Sequence, residues 1–134
     1  MSGWLLAANA GRLREVKRLL EQGTNVNYHD NNNGGLSALL LASDSGHLEV
    51  ARHLLESGTS TDLQSNDGSS ALHHSSCKGH VEVARLLLES GASAHLQTNN
   101  GLTPLMEASR NGYKSLVVLL LEKGAAVNTK TKEK

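Results

Sequence analysis

Residues 68–91, GSSALHHSSCKGHVEVARLLLESG, contain two short helical patterns separated by Gly79 and closed by Gly91. Ser70 is suited to begin the first helix, because its hydroxyl can accept a hydrogen bond from a free backbone N–H of the first turn. The second pattern places four apolar residues on one side of a helix: Val83, Ala84, Leu87 and Leu88. Helices of about ten residues are marginal in isolation, so this unit requires neighbours of its own kind.

The same unit recurs along the chain. The glycine between the two helical patterns is found at Gly11, Gly46, Gly79 and Gly112. The glycine after the second pattern is found at Gly23, Gly58, Gly91 and Gly124. Both series advance by 35, 33 and 33 residues, and pairs of leucines keep the same phase. A fixed period of this size predicts an array of stacked repeats.

With these motifs the sequence resembles the ankyrin repeat family over nearly its whole length. The opening motif of the family appears as GLTPLM at residues 101–106, and the Gly-His pair between the helices appears at residues 46–47 and 79–80. The closing motif appears as GAAVN at residues 124–128. The resemblance implies an all-α fold, an α-solenoid of four stacked ankyrin helix-turn-helix repeats with β-hairpin-like fingers.

The domain organisation follows from the repeats. A single domain is expected over residues 1–128, with repeats at about 1–23, 24–58, 59–91 and 92–124, followed by a polar tail, 129–134, that is expected to be disordered. The first finger is two residues longer than the others, and the additional residues lie within DNNNGG at 30–35. This finger is expected to protrude or to be more mobile, either as a tolerated insertion or as a contact element.

The motif histidine of the family ties each turn to its neighbour. Only the third repeat retains it, as His73; Leu5, Leu40 and Met106 stand at the equivalent positions. The loss of this polar contact in three of the four repeats predicts modest stability.

The composition excludes several functional classes. The formal net charge is zero, which argues against a general binder of nucleic acid or acidic membranes. One cysteine in 134 residues permits no internal disulfide and fits a reducing compartment. No secretory signal or membrane span is recognised, so a cytoplasmic or nuclear location is expected. Residues 23–90 carry three basic and eight acidic side chains, and an acidic centre of this kind could steer a basic peptide towards the array.

One cluster has the residue types of a metal site: His73, His74, Cys77 and His80. A structural zinc site needs four convergent ligands, whereas His73 and His80 coincide with motif histidines that form turn hydrogen bonds in the family. No metal and no cofactor are therefore expected. Cys77 beside a histidine also lacks the oriented base or phosphate loop of an enzyme, so no catalytic residue is assigned.

The resemblance places a binding surface on the finger tips and on the adjoining concave face of the first helices. Carried over position by position, the finger residues are Asn33, Leu36, Asn66, Asp67, Ser69, Asn99, Asn100 and Leu102. The first-helix residues are Asp44, Ser45, Cys77, Lys78, Arg110 and Asn111. The resemblance also implies hydroxylation of finger asparagines that follow a leucine by eight residues, which selects Asn27 and Asn128; the alternative is that these residues only cap their turns.

The last helical pattern, residues 115–123, is unusually apolar for the end of an array. Val118 and Leu119 occupy the positions of Arg52 and His53 in the second repeat. Terminal repeats usually expose polar residues. Either the array continued in a longer scaffold or another chain covers this end, and self-association through Val118 and Leu119 is one form of the second interpretation.

The sequence therefore predicts a protein–protein interaction module without catalysis. One competing interpretation is a small inhibitor resembling the four-repeat cyclin-dependent kinase inhibitors, whose opening is similar to Trp4-Leu5 and the following alanine-rich helix. Two more are a segment of a longer ankyrin scaffold and an engineered or reconstructed repeat protein.

Overall fold

A computed structural model describes residues 2–125 of the chain. The proposed tail, 129–134, and Asn128 lie outside the described residues. The described part forms eight helices in four consecutive pairs: α1 (Gly3–Ala10) and α2 (Leu13–Glu21), α3 (Ala38–Ser45) and α4 (Leu48–Glu56), α5 (Ala71–Lys78) and α6 (Val81–Glu89), and α7 (Pro104–Arg110) and α8 (Lys114–Glu122).

The helices form two rows. The first helices of the pairs, α1, α3, α5 and α7, pack side by side, and the second helices form a parallel row in which the contacts are sparser. Leucines from both helices of the repeats fill the space between the rows, including Leu5, Leu54, Leu72, Leu87 and Leu120, all fully buried. The predicted all-α solenoid of four helix-turn-helix repeats is confirmed.

The first helices begin and end where the sequence predicts. A hydroxyl accepts a hydrogen bond from the backbone N–H three residues later at each start: Ser2, Ser37, Ser70 and Thr103. Pro104 lies in the first turn of α7, where the absence of its N–H costs nothing. Gly46 ends α3 in the left-handed conformation with φ +77°, which only glycine adopts without strain.

Three of the glycines that follow the first helices, Gly11, Gly46 and Gly79, also receive a ring from the next repeat. A methyl group at Gly46 would lie 2.6 Å from the imidazole of His80. The same ring-on-glycine contact joins His47 to Gly11 and Tyr113 to Gly79. The two histidines add a polar contact, because Nε2 of His47 lies 2.9 Å from the carbonyl oxygen of Asn9 and Nε2 of His80 lies 2.9 Å from that of Asp44. Modest stability was predicted because only the third repeat keeps the motif histidine, and these two contacts between repeats are additional to that of His73.

The fingers are also joined in series. In the first finger, strands β1 (His29–Asp30) and β2 (Leu36–Ser37) pair antiparallel around a 3-10 turn, Asn31–Asn33. The carboxylate of Asp30 caps this turn by accepting from the Asn32 N–H and the Asn33 side chain, so the additional residues form a hydrogen-bonded turn. The Asn66 N–H donates to the Gly34 carbonyl at 2.8 Å, and the Asn99 N–H donates to that of Asp67 at 2.9 Å.

The last helix differs from the expectation at one residue. Val118 is 55% exposed and Leu121 is 42% exposed, but Leu119 is only 3% exposed. Leu119 shares the side of α8 that carries Leu116 and Leu120, at the i, i+3, i+4 spacing of a buried stripe. The prediction that Leu119 belongs to an exposed interface is therefore wrong, and Leu121 takes its place beside Val118.

Replacement of Gly46 by alanine tests the ring-on-glycine contact. Gly46 and Gly112 share φ +77°, but among the described residues nothing lies within 4 Å of a methyl group at Gly112. We expect Gly112→Ala to lower the free energy of unfolding by about 1–2 kcal/mol, the cost of a left-handed alanine. Gly46→Ala should cost about 1–3 kcal/mol more, because the His80 ring must move.

Urea unfolding of both variants beside the unmodified chain measures this difference. Equal losses in the two variants would show that the ring contact contributes nothing beyond backbone strain.

Candidate binding groove on the first-helix face

The described residues form a groove where the first helices of repeats two to four meet the second and third fingers. Its lining comprises Asp44, Asp67, Ser69, His73, His74, Cys77, Thr98, Asn100, Leu102, Glu107 and Arg110. A smaller apolar hollow adjoins it at the first finger, and Asp67 and His74 line both. We call the larger feature the groove.

Asp44 joins the second repeat to the third. Its carboxylate accepts a hydrogen bond from Nδ1 of His74 at 3.0 Å and another from Nζ of Lys78 at 3.2 Å. Partial burial favours a raised pKa for Asp44, but these hydrogen bonds and charges outweigh it and hold the pKa below its ordinary value. Asp44 therefore keeps its negative charge in the groove.

Asp67 lies at the tip of the second finger. Its Oδ1 accepts from the Ser65 hydroxyl at 2.5 Å and from the Ser69 N–H at 3.0 Å. Burial works to raise the pKa of Asp67, yet these hydrogen bonds lower it on balance. Asp67 is exposed, so its carboxylate is accessible to a donor from a partner.

Glu107 forms the floor of the groove and is 6% exposed. Nη2 of Arg110, one turn later on α7, donates to it at 3.0 Å. Burial raises the pKa of the Cys77 thiol, and a hydrogen bond to Glu107 raises it further. Cys77 is therefore a neutral thiol at physiological pH, which is the wrong state for a nucleophile.

His73 forms one wall of the groove and is held in one tautomer. Its Nε2–H donates to the Leu102 carbonyl at 2.9 Å, in the next repeat, while Nδ1 accepts from the Ser70 N–H at 3.1 Å. Burial lowers the pKa of His73, although the hydrogen bond to Leu102 opposes the change. A proton on Nδ1 would also remove the acceptor that the Ser70 N–H needs.

Seven of the fourteen residues assigned to the binding surface line the groove: Asp44, Asp67, Ser69, Cys77, Asn100, Leu102 and Arg110. Leu36 and Asn66 line the adjoining hollow. The remaining five, Asn33, Ser45, Lys78, Asn99 and Asn111, lie outside both. All fourteen keep some exposure.

Several of these side chains also hold adjacent repeats together. The amide nitrogens of Asn99 and Asn111 donate to the carbonyls of Asn66 at 2.9 Å and Cys77 at 3.2 Å, and the Ser45 hydroxyl donates to Asn9 at 3.1 Å. Besides any contact with a partner, these exposed residues therefore stabilise the stacking of the repeats.

Besides His73 and Thr98, which were not assigned to the binding surface either, two residues of the groove were missed from the sequence: His74 and Glu107. They stand at the same position of their repeats as Leu6 and Leu41 do in the first two. This position therefore changes from leucine in the first two repeats to polar residues in the last two. Comparison of equivalent positions between the repeats would have revealed the change.

The histidine-rich cluster is engaged in hydrogen bonds rather than arranged around an ion. His73 bonds to Leu102, His74 to Asp44 and His80 to the Asp44 carbonyl. Within residues 2–125, no three metal-ligating side chains converge. At the predicted modification site, Oδ1 of Asn27 accepts from the Ser60 N–H at 3.1 Å, and Asp62 repeats this contact with Ser93 at 3.0 Å.

Stacked helix pairs with a polar groove on their first-helix face define a solenoid of the binding-scaffold class. A family profile described as ankyrin repeats, in three copies, matches residues 4–65 and 57–131. The chain belongs to the ankyrin repeat family, whose members are generally protein-interaction modules and typically non-catalytic. A comparison with curated proteins found no match. No helix in the described part of the chain is long and apolar enough to cross a membrane.

Substitution of His73 by leucine, the residue of the second repeat, tests the state of this histidine. Near pH 7.5 the variant should be less stable by about 1–2 kcal/mol, because it loses hydrogen bonds between repeats. The pKa of His73 is lowered in the folded chain, so below its ordinary value of about 6.5 the unfolded state binds the proton first. The unmodified chain therefore loses stability as the pH falls, through a contribution that the variant lacks.

Urea unfolding between pH 7.5 and pH 5 should show the gap between the two proteins narrowing as the pH falls. The other six histidines are common to both and cancel in the comparison. Parallel pH curves would mean that His73 titrates alike in the folded and unfolded chains.

Proposed function

We propose that this chain is a protein–protein interaction module that binds a partner protein or peptide in the groove and on the adjoining finger tips, without catalysis. The observation that supports this most directly is the groove itself, which spans three repeats on the face where seven of the assigned contact residues meet. The pKa directions of Asp44, Asp67 and Cys77 favour fixed charges and a neutral thiol rather than catalysis.

The chemistry of the partner follows from the first-helix face, whose character changes along the array. Leu6 is 48% exposed in the first repeat, whereas Asp44, Asp67 and Glu107 line the groove further along. A partner that suits this surface carries an apolar side chain towards the first repeat and a basic side chain towards Asp67. The rim residues, among them Asn33, Asn99 and Lys78, would then contact the flanks of that segment.

The alternative of a small kinase inhibitor receives no support from the second repeat. Those inhibitors have a shortened first helix there, whereas α3 has eight residues, as do α1 and α5. A cytoplasmic or nuclear location belongs to the main proposal, and the single cysteine supports it. Hydroxylation of Asn27 remains a proposal that rests on the family resemblance alone.

Substitution of Asn100 by arginine tests the binding face. Asn100 is exposed in the groove, and its side chain forms no hydrogen bond with the described residues, so the fold should tolerate the change. A basic partner would meet a new positive charge and be repelled, and we expect its affinity to fall at least tenfold, or about 1.4 kcal/mol.

Gln22→Arg is the matched control, because it adds the same charge at an exposed position beyond α2. Proteins captured from a cell extract should be compared between the unmodified chain and both variants. Partners lost only with Asn100→Arg support binding in the groove. Partners retained by Asn100→Arg, or lost equally with Gln22→Arg, count against it.

We also propose self-association through the last repeat. Val118 and Leu121 are exposed on α8, and Val118 lines an apolar surface depression together with Ser109, Gly112, Lys114 and Val117. The equivalents of Ser109 in the preceding repeats, Ala8, Ser43 and Ser76, are fully covered by the next repeat. This face therefore corresponds to the surface that each preceding repeat buries against the next one.

Substitution of Val118 by lysine should abolish the association, because it places a charge at the centre of the apolar surface. Sedimentation over a concentration series should show the average mass of the unmodified chain rising above that of one chain, and Val118→Lys should hold it at one chain. Leu6→Lys is the control, since it removes another exposed apolar residue at the opposite end. An equal effect of the two substitutions would indicate nonspecific hydrophobic association and would count against a specific contact at Val118.

A further inference from the structure

The outer face of α8 departs from the pattern of the preceding second helices. In α4 and α6 an acid and a base pair on the outer face, Glu49 with Arg52 at 3.7 Å and Glu82 with Arg85 at 3.8 Å. Repeat for repeat, Ser115 and Val118 stand at those two positions in α8. The last helix has therefore exchanged a solvated ion pair for a small residue and an exposed apolar one.

The charges that remain on this face lie at the two ends of the helix. Lys114 is the first residue of α8 and Glu122 is the last, and Val118 is the midpoint between them. Both charged residues are exposed, and neither forms an ion pair within residues 2–125. At 100° per residue, Lys114, Val118, Leu121 and Glu122 fall within about 100° of one another, so they share one face of the helix.

This arrangement is complementary to itself in one orientation. When two such helices lie antiparallel and cross at Val118, Lys114 of one chain lies opposite Glu122 of the partner subunit, and the reverse pair forms at the other end. Each pair lies about 6 Å along the helix from the crossing point, given a rise of about 1.5 Å per residue.

We propose that two copies of the chain associate through α8 in this antiparallel arrangement, with a two-fold axis at Val118 and ion pairs between Lys114 and the partner's Glu122. The inference rests on the proposed self-association and specifies its geometry. A two-fold contact of this kind uses the same surface twice and closes at the dimer.

The competing arrangement, in which the last repeat of one copy stacks on the first repeat of another, is opposed by charge. The first repeat carries four cationic side chains in and before α2: Arg12, Arg14, Lys17 and Arg18. These would approach Lys114 and Lys123 at the last repeat, and like charges in an interface are repulsive. The head-to-tail contact would also be open and would lead to chains of copies rather than to dimers.

The surface involved is small, because α8 has only nine residues. Interfaces that bury less than about 1,200 Å² are typical of weak or transient contacts. The dimer should therefore form at concentrations on the order of 10–100 μM, with hydrophobic contact at its centre and with the charged pairs setting the orientation.

Charge reversal tests the orientation. Lys114→Glu turns both ion pairs of the dimer into repulsions, as does Glu122→Lys, and each should raise the dissociation constant about tenfold, the sum of several surface-pair contributions. The double variant, Lys114→Glu with Glu122→Lys, restores both attractions and should associate as the unmodified chain does. An equimolar mixture of the two single variants should form mixed dimers, because their charges are complementary.

The controls separate this effect from folding and from net charge. An acid at the start of a helix and a base at its end both favour the helix dipole, so neither single variant should weaken α8. Lys123→Glu makes the same change of net charge as Lys114→Glu on the opposite side of the helix, and it should leave the dissociation constant unchanged.

Sedimentation equilibrium of the five proteins and of the mixture, from about 10 μM to 1 mM, decides between the outcomes. Weakening in the single variants with recovery in the double variant and in the mixture supports the antiparallel dimer. If the chain self-associates with the same dissociation constant in all variants, the antiparallel geometry is overturned, but self-association through the last repeat is still supported. A mass of one chain at every concentration overturns both, while binding in the groove is tested separately through Asn100.

Discussion

The seating of a ring from one repeat on a glycine of the preceding repeat is the contact on which the stacking depends. It needs a residue without a Cβ at the end of the first helix and a planar side chain at the start of the next second helix. His80 on Gly46 meets both requirements and adds a hydrogen bond to the Asp44 carbonyl. Because the same contact recurs at each junction in the described chain, it sets the spacing of the first helices and therefore the position of every side chain between them.

The groove is a consequence of that spacing. Once the third repeat is seated on the second, His74 comes within 3.0 Å of Asp44, although the two residues are thirty positions apart. The fingers are aligned by their own series of hydrogen bonds, which brings Asp67 beside the same histidine. The charged side chains are thus held before any partner arrives, and a preorganised surface loses less conformational entropy on binding.

The fold could be predicted from local features, because glycines, hydroxyl caps and leucine pairs act within a few residues of their positions. The groove could be predicted only in outline. Resemblance located the face, but the contacts of His74 and the burial of Glu107 depend on residues about thirty positions away, which no local pattern reports. Leu119 shows the same limit within one helix: its alignment with His53 suggested exposure, whereas its spacing from Leu116 and Leu120 determines burial.

At the end of the described array, the last repeat lacks the stacking contact that the other repeats make. Gly112 has the left-handed φ of the other junctions, but no ring occupies the space beside it within residues 2–125. Ser109 is exposed there, whereas Ser76 is fully buried. A polar residue at position 118 would make this surface hydrophilic, as Arg52 and Arg85 make the equivalent surfaces of the second and third repeats. The exposed valine between two unpaired opposite charges is better explained by contact than by solvation, because burial of apolar area is favourable only when something covers it.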